Sequence, residues 1–107
     1  VFRWERVWED VASHLGQPLA EPVPLRLIEH MADKGDLWKK MAAAGGLKQA
    51  ALDKLVGWGF GDFIFRTETD VISDVNKLYE FGFTERMNST RSLVGALDSL
   101  RRQKILP

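Results

Sequence analysis

The stretch N-K-L-Y-E-F-G-F (residues 76–83) combines apolar residues at helical spacing with a glycine. It is typical of a short amphipathic helix, and Gly82 supplies the left-handed residue at which helices commonly end. Ser73 or Asp74 stands ahead of it as a candidate N-cap. The sequence therefore predicts a helix that starts at one of these caps, runs to about Phe81 and is closed by Gly82.

Five other segments place apolar residues at helical spacing, in residues 4–15, 27–31, 37–41, 52–63 and 93–100. Two-residue alternation, which would indicate strands, is absent except for a short candidate strand at residues 63–65. A length of 107 residues fits a single core. The predicted fold class is mostly α, with residues 1–107 forming one small domain of about five or six helices.

The predicted helix ends use glycines and short polar residues. Left-handed closure is expected at Gly16 and at Gly45–Gly46, and Pro24 is placed near the start of the second helix. The remaining expected N-caps are Asp36 for the third helix and Asn88 or Ser89 for the last.

Composition excludes several classes of function. Fifteen basic and fifteen acidic residues cancel, so no basic surface favours nucleic acid. Zero cysteines exclude disulfides and thiolate metal sites. No apolar run approaches the roughly 20 residues of a membrane span, and the expected location is cytoplasmic. The first residue is Val1 rather than Met, which is typical of a fragment boundary.

The glycine-rich run G-W-G-F-G (residues 57–61) invites comparison with a phosphate-binding loop. A dinucleotide loop needs G-x-G-x-x-G between a strand and a helix, whereas this run follows a helical pattern and precedes Asp62, which would repel phosphate. Two interpretations remain. The glycines allow close backbone packing, or they leave room for a ligand beside Trp58, Phe60 and Phe63.

Catalytic and metal-binding patterns are missing. His14 and His30 are 16 residues apart without further ligands, whereas zinc needs three or four that converge. Tyr79 follows Lys77 by two, the wrong order and spacing for a tyrosine whose pKa is lowered by a lysine one helical turn later. No catalytic, cofactor-binding or metal-binding residue is predicted in this chain.

The four tryptophans fall into two groups. Trp4, Trp8 and Trp38 lie on apolar helix stripes and are predicted to pack in the core. Trp58 begins the glycine-rich aromatic run, where a pocket lined by rings is expected.

Taken together, the chain resembles the C-terminal segment of the progesterone 5β-reductase and iridoid synthase-like branch of the short-chain dehydrogenase/reductases. The order and spacing of the matching pieces carry the resemblance along the whole length. These pieces are Phe2-Arg3-Trp4, Trp8, Leu15-Gly16, Met31-Ala32-Asp33-Lys34, Trp38, Gly46-Leu47, residues 58–63, Asn76-Lys77, Glu80, Gly82-Phe83 and residues 104–107.

The resemblance implies an NADPH- or NADH-dependent reductase that transfers hydride to enones or related carbonyl compounds. In such enzymes a Rossmann-type domain supplies the cofactor loop and the catalytic tyrosine and lysine. The helical C-terminal part packs over that domain and closes the substrate pocket. This chain would then be the substrate-binding part, inactive alone, with the Rossmann-type domain and a small apolar carbonyl substrate as its partners.

The resemblance also assigns a candidate substrate-binding set: Trp58, Gly59, Phe60 and Phe63. Phe60 matches a position where relatives carry an aromatic pocket residue, whereas Gly59 stands where a large ring is common. A roomier or differently shaped pocket is therefore expected. The alternative function is a free-standing helical interaction module. If the surface that meets the Rossmann-type domain is exposed, self-association is expected.

Overall fold

The structure is a computed structural model that describes residues 2–107, so Val1 lies outside the described residues. Six α-helices and one 3₁₀ turn follow in order: α1 Trp4–His14, α2 Leu27–His30, α3 Gly35–Gly45, the 3₁₀ turn Leu52–Lys54, α4 Trp58–Phe65, α5 Asn76–Glu80 and α6 Ser89–Arg102. No strand occurs within residues 2–107. The predicted fold class, mostly α with about six helices, is confirmed.

Several predicted helix ends are confirmed. Gly16, Gly46 and Gly82 have φ angles of 65°, 61° and 82°, in the left-handed region that side chains with a Cβ disfavour. At the start of α6, the side chain of Asn88 accepts a hydrogen bond of 2.9 Å from the backbone N–H of Arg91. This bond satisfies one of the free donors at a helix start.

Two predicted N-caps are wrong. Helix α3 begins at Gly35, so Asp36 lies inside the first turn and Lys34 precedes the helix without a capping side chain. Helix α5 begins at Asn76, later than the predicted start. Asp74 accepts a 2.9 Å hydrogen bond from the Asn76 N–H and so forms a turn before the helix rather than its cap.

The segment predicted as one helical pattern over residues 52–63 is divided. Its first part is the 3₁₀ turn, and α4 starts only at Trp58. Gly57, between them, has φ −94° and ψ 87°, which is not helical. The candidate strand at residues 63–65 is also wrong, because these residues form the last turn of α4. A short continuous apolar run such as Phe-Ile-Phe fits either structure, and tertiary packing decides between them.

The helices pack mainly in pairs and enclose little core. Helix α1 packs on α6, α2 on α4, and α3 on the 3₁₀ turn. Val7, Val11 and Ala42 are the buried apolar residues of the described chain. The radius of gyration is 17.0 Å, whereas a compact domain of this size has about 13 Å. The chain is therefore open, with much of its apolar surface accessible.

The α1–α6 pair brings distant parts of the sequence together. His14 Nε2 lies 2.7 Å from Asp98 Oδ1 across the two helices. The ring of Trp4 stacks on Trp8 at 5.7 Å and meets the ring of Phe65 edge-on at 5.0 Å. Trp8 is nevertheless 42% exposed, so these rings cover one another without being enclosed.

Among the described helices, none is both long and apolar enough to cross a bilayer.

The exposed apolar surface leads to a first prediction. Val71 and Ile72 are 87% and 88% exposed, and Phe81 is 82% exposed. The described chain exposes 21 large hydrophobic side chains in all. Because extensive exposed apolar surface promotes association, we expect the chain to self-associate at micromolar concentrations in sedimentation velocity. Replacing Val71 and Ile72 together by Ser is expected to shift the distribution toward monomer. A monomer at every concentration, before any substitution, would contradict this expectation.

Candidate functional site

Helix α4 is the structural centre of the candidate site, because it carries all four predicted substrate-binding residues: Trp58, Gly59, Phe60 and Phe63. With 3.6 residues per turn, these positions cannot share one face. The contacts of α4 divide it into a side that packs on α2, a side that carries two exposed rings, and an end that enters an apolar groove.

A carboxylate holds α2 against α4. Asp62 accepts a 2.6 Å hydrogen bond from the Leu27 N–H and a 3.1 Å bond from the Ile28 N–H, at the start of α2. These bonds, the one from Leu27 first, lower the pKa of Asp62 below its ordinary value of 3.8, although partial burial opposes the shift. Asp62 is the buried polar residue of the described chain, at 9% exposure. Its ionised form is therefore matched to two fixed donors.

The glycines of α4 allow α2 to approach closely. A Cβ added at Gly61 would lie 2.8 Å from Leu27 Cδ1, and one added at Gly59 would lie 3.3 Å from Ile28 Cδ1. Both distances are shorter than ordinary carbon–carbon contacts. Close packing, one of the two interpretations left open by the sequence, thus accounts for Gly59 and Gly61. The run differs from a dinucleotide loop, because the 3₁₀ turn Leu52–Lys54 rather than a strand precedes it.

The opposite side of α4 carries the ring pair, which we define as Phe60 and Phe63. Their side chains are 70% and 67% exposed, and their ring centroids lie 6.4 Å apart at an interplanar angle of 31°. Rings at this separation stabilise each other but leave most of their area in solvent. The ring pair is thus an apolar surface pointing away from α2.

Trp58, at the start of α4 and one turn before Asp62, lines a groove of about 520 Å³. Its lining includes Trp38 of α3, Leu55 and Val56 of the segment before α4, and Leu106 near the chain end. We call this concavity the groove. Phe60, Phe63 and Gly59, the other members of the predicted substrate-binding set, do not line the groove. The structure therefore brings Phe60 and Phe63 together and places Trp58 elsewhere.

The sequence also contained groove residues that were not singled out as a site. Lys34 lines the groove, as do Ile105 and Leu106 from the ending K-I-L-P. In the sequence, that ending contributes only to the family resemblance. The backbone bond from Lys48 N–H to the Lys104 carbonyl, 2.8 Å long, brings the end of the chain beside α3. This long-range pairing has no signal in local sequence spacing.

Other polar groups of residues 2–107 are engaged in pairs. His14 is paired with Asp98, and the guanidinium of Arg86 lies 5.3 Å from the ring centre of Tyr79. In the part of the chain that the structure describes, no three histidines or acidic residues converge as metal ligands. A second concavity of about 380 Å³ lies between Trp4 and α6. It is lined by apolar residues and serines only.

Comparison with known proteins identifies the class to which these helices are related. The chain is 31% identical over 111 residues to an (S)-8-oxocitronellyl enol synthase of Camptotheca acuminata, covering 100% of this chain and 28% of that protein. It is 30% identical over 110 residues to the 3-oxo-Delta(4,5)-steroid 5-beta-reductase of Arabidopsis thaliana, with the same coverage. A short chain dehydrogenase of Penicillium aethiopicum is 31% identical over 121 residues, with 99% and 32% covered. No family model matches the chain.

These relatives are homologous to the whole chain and share one class, the short-chain dehydrogenase/reductases. Within that class, the chain is related to the iridoid synthase and progesterone 5β-reductase-like enzymes, so the predicted resemblance is confirmed. The chain spans a little over a quarter of the length of these relatives.

Proposed function

We propose that this chain is the C-terminal, substrate-facing part of an NAD(P)H-dependent short-chain reductase that acts on enones or related carbonyl compounds. The observation that carries the proposal is the ring pair on α4, exposed at 70% and 67% in a chain aligned throughout with a reductase and enol synthases. Two adjacent exposed rings suit contact with an apolar molecule or a second domain better than contact with water.

The cofactor, NADPH or NADH, is proposed to bind outside these 107 residues, in a Rossmann-type domain that also supplies the catalytic tyrosine and lysine. That cofactor would deliver hydride. This assignment follows from the family resemblance and from the packing of the glycine run against α2, which leaves it unsuited to a pyrophosphate. The chain alone is then inactive, and the proposed location of the enzyme is the cytoplasm.

The proposed task of these residues is to position the substrate. The ring pair would contact the apolar body of a carbonyl substrate and exclude water beside it. Asp62, by fixing α2 to the other side of α4, would hold the ring pair in a constant orientation. Gly59 and Trp58 remain proposed substrate-binding residues, Gly59 by letting α2 approach closely and so fixing the position of α4, and Trp58 through its ring.

The open packing supports this proposal over a free-standing interaction module. A module that folds and functions alone needs its own closed core. Here three apolar residues are buried, and the radius of gyration exceeds that of a compact domain by several ångströms. Such open packing is typical of a segment that packs over another domain.

A chimera tests the role of Phe60. This chain would replace the aligned segment of the Camptotheca acuminata enol synthase, and the reduction of apolar enones of increasing size would be followed with NADPH. Phe60→Ala is expected to lower kcat/KM for large apolar enones by the roughly 1–3 kcal/mol that a lost hydrophobic pocket contact costs, about 5- to 150-fold. The affinity for NADPH should not change.

The matched control is Phe81→Ala, which removes a ring that is 82% exposed and lies outside α4. It is expected to leave kcat/KM unchanged. The same loss in both variants, or the same loss for every enone size, would contradict a substrate-contacting role for Phe60. A chimera that folds and binds NADPH but reduces no enone would contradict the proposed function as a whole.

A further inference from the structure

The groove has the size and lining of a small-molecule site. Its volume of about 520 Å³ falls within the roughly 300–1,000 Å³ typical of ligand pockets. Side chains from the end of α2, from α3, from the 3₁₀ turn, from the start of α4 and from the end of α6 converge on it. This convergence makes the groove concave, whereas a surface for another protein domain is flatter.

Hydrogen bonds hold the walls of the groove in place. Trp38 Nε1 donates to the Gln49 carbonyl at 3.0 Å, and the Gln49 side chain accepts from the Ala51 N–H at 3.0 Å. On the other wall, the 2.8 Å bond between Lys48 N–H and the Lys104 carbonyl fixes the chain end. The groove is therefore largely pre-formed, which lowers the entropic cost of binding a guest.

One charge lies at the groove. Among the described side chains that line the groove, Lys34 alone is charged. The others are apolar or aromatic, as Trp38, Leu55 and Trp58 are. The Lys34 ammonium lies 2.5 Å from the Asp33 carboxylate, whose side chain is 79% exposed. Such an exposed ion pair contributes little. Asp33 can turn into solvent and leave Lys34 to an anion on the ligand.

We propose that the groove binds a small apolar molecule that carries a single anionic group. The apolar body would lie against Trp38 and Trp58, and the anion would pair with Lys34. Trp58 enters the groove from the start of α4, whereas the ring pair lies on a different side of that helix. The inference shares Trp58 with the proposed substrate-binding residues, but its test varies Lys34 and Val56 instead, so either proposal can fail without the other.

A pair of fluorescent probes tests the proposal on the full chain. 8-Anilinonaphthalene-1-sulfonate has an apolar aromatic body and one sulfonate, and N-phenyl-1-naphthylamine is its neutral counterpart. We expect both probes to bind saturably, and the sulfonate more tightly. Lys34→Gln is expected to lower the affinity for the sulfonate probe by about twofold to fivefold, as for a solvent-accessible ion pair. The affinity for the neutral probe should stay unchanged.

A second variant tests whether the apolar part of each probe lies in the groove. Val56→Trp places a bulky ring at a wall position that is 38% exposed, so the helices should tolerate it. It is expected to weaken both probes by about tenfold or more, as for the loss of several pocket contacts. Circular dichroism would verify that each variant keeps the helical signal.

Phe60→Ser is measured to detect probe binding on the ring pair. Phe81→Ser is the matched control, because it removes an exposed apolar ring that lies outside both α4 and the groove. It should leave both affinities unchanged. Probe loss in Phe60→Ser equal to that in Val56→Trp would overturn the proposal by placing the probes on the ring pair. Equal affinities for the two probes, unchanged by Lys34→Gln, would overturn the anionic preference. Absence of saturable binding would show that the groove is covered by polypeptide or is closed.

Discussion

Asp62→Ala is expected to release helix α2 from helix α4. The substitution removes the acceptor for two backbone N–H groups, Leu27 and Ile28, at the start of α2, and unpaired donors at a part-buried position are unfavourable. A four-residue helix does not persist without such support. We expect a fall of several degrees in the thermal midpoint by circular dichroism, together with faster amide exchange at Leu27 and Ile28.

The pH dependence gives this prediction a second measurement. The pKa of Asp62 is lower in the folded chain than its ordinary value of 3.8. Its stabilising contribution is therefore complete above pH 3.8 and decreases as pH falls toward the folded pKa. In Asp62→Asn, the loss of folding stability as the pH falls below 3.8 should be smaller than in the unsubstituted chain. Asp36→Asn, at a carboxylate that is 92% exposed, is the control and should change it little. Identical acid profiles for both variants would contradict the assigned role of Asp62.

Gly61→Val is expected to destabilise the same helix pair by overpacking. A Cβ at Gly61 would lie 2.8 Å from Leu27 Cδ1, and the two γ-carbons of valine extend the conflict. The Leu27 side chain would have to leave its place against α4, and part of the packing between the two helices would be lost. The expected loss is about 1–3 kcal/mol of unfolding free energy, measured by denaturant titration.

The same substitution at Gly95 provides the control. Gly95 lies inside α6, and a Cβ there would meet no atom within 4 Å. Gly95→Val is expected to be neutral or slightly stabilising, because glycine is the poorer helix former. If both variants lose the same stability, a general intolerance of valine rather than the contact with Leu27 would explain the result.

Local signals in the sequence predicted the helices well. Left-handed glycines at positions 16, 46 and 82 and the Asn88 cap were found because each acts within a few residues. The division at Gly57 was missed because the apolar spacing of residues 52–63 continues across it. Periodicity records which residues are apolar, whereas a break depends on how the backbone packs against other helices.

The candidate site was predicted less completely, and for a physical reason. Trp58, Gly59, Phe60 and Phe63 were grouped because they are close in sequence, but an α-helix rotates successive side chains by about 100°. Their actual neighbours are set by α2 and by the chain end, which are distant in sequence. Asp62 was considered only as a group that repels phosphate. Its partners, the Leu27 and Ile28 N–H groups, become visible only when the two helices meet.

The division of α4 into separate sides has a consequence for how such a chain can evolve. Gly61 and Asp62 are constrained by their contacts with α2, whereas Phe60 and Phe63 touch little besides each other. Mutations at the two rings can therefore alter the outer surface without loss of the helix that displays it. A library randomised at positions 60 and 63, with 61 and 62 retained, would sample new specificities at little cost in folding. Gly61 and Asp62 maintain the packing of the helix pair, and positions 60 and 63 are free to vary.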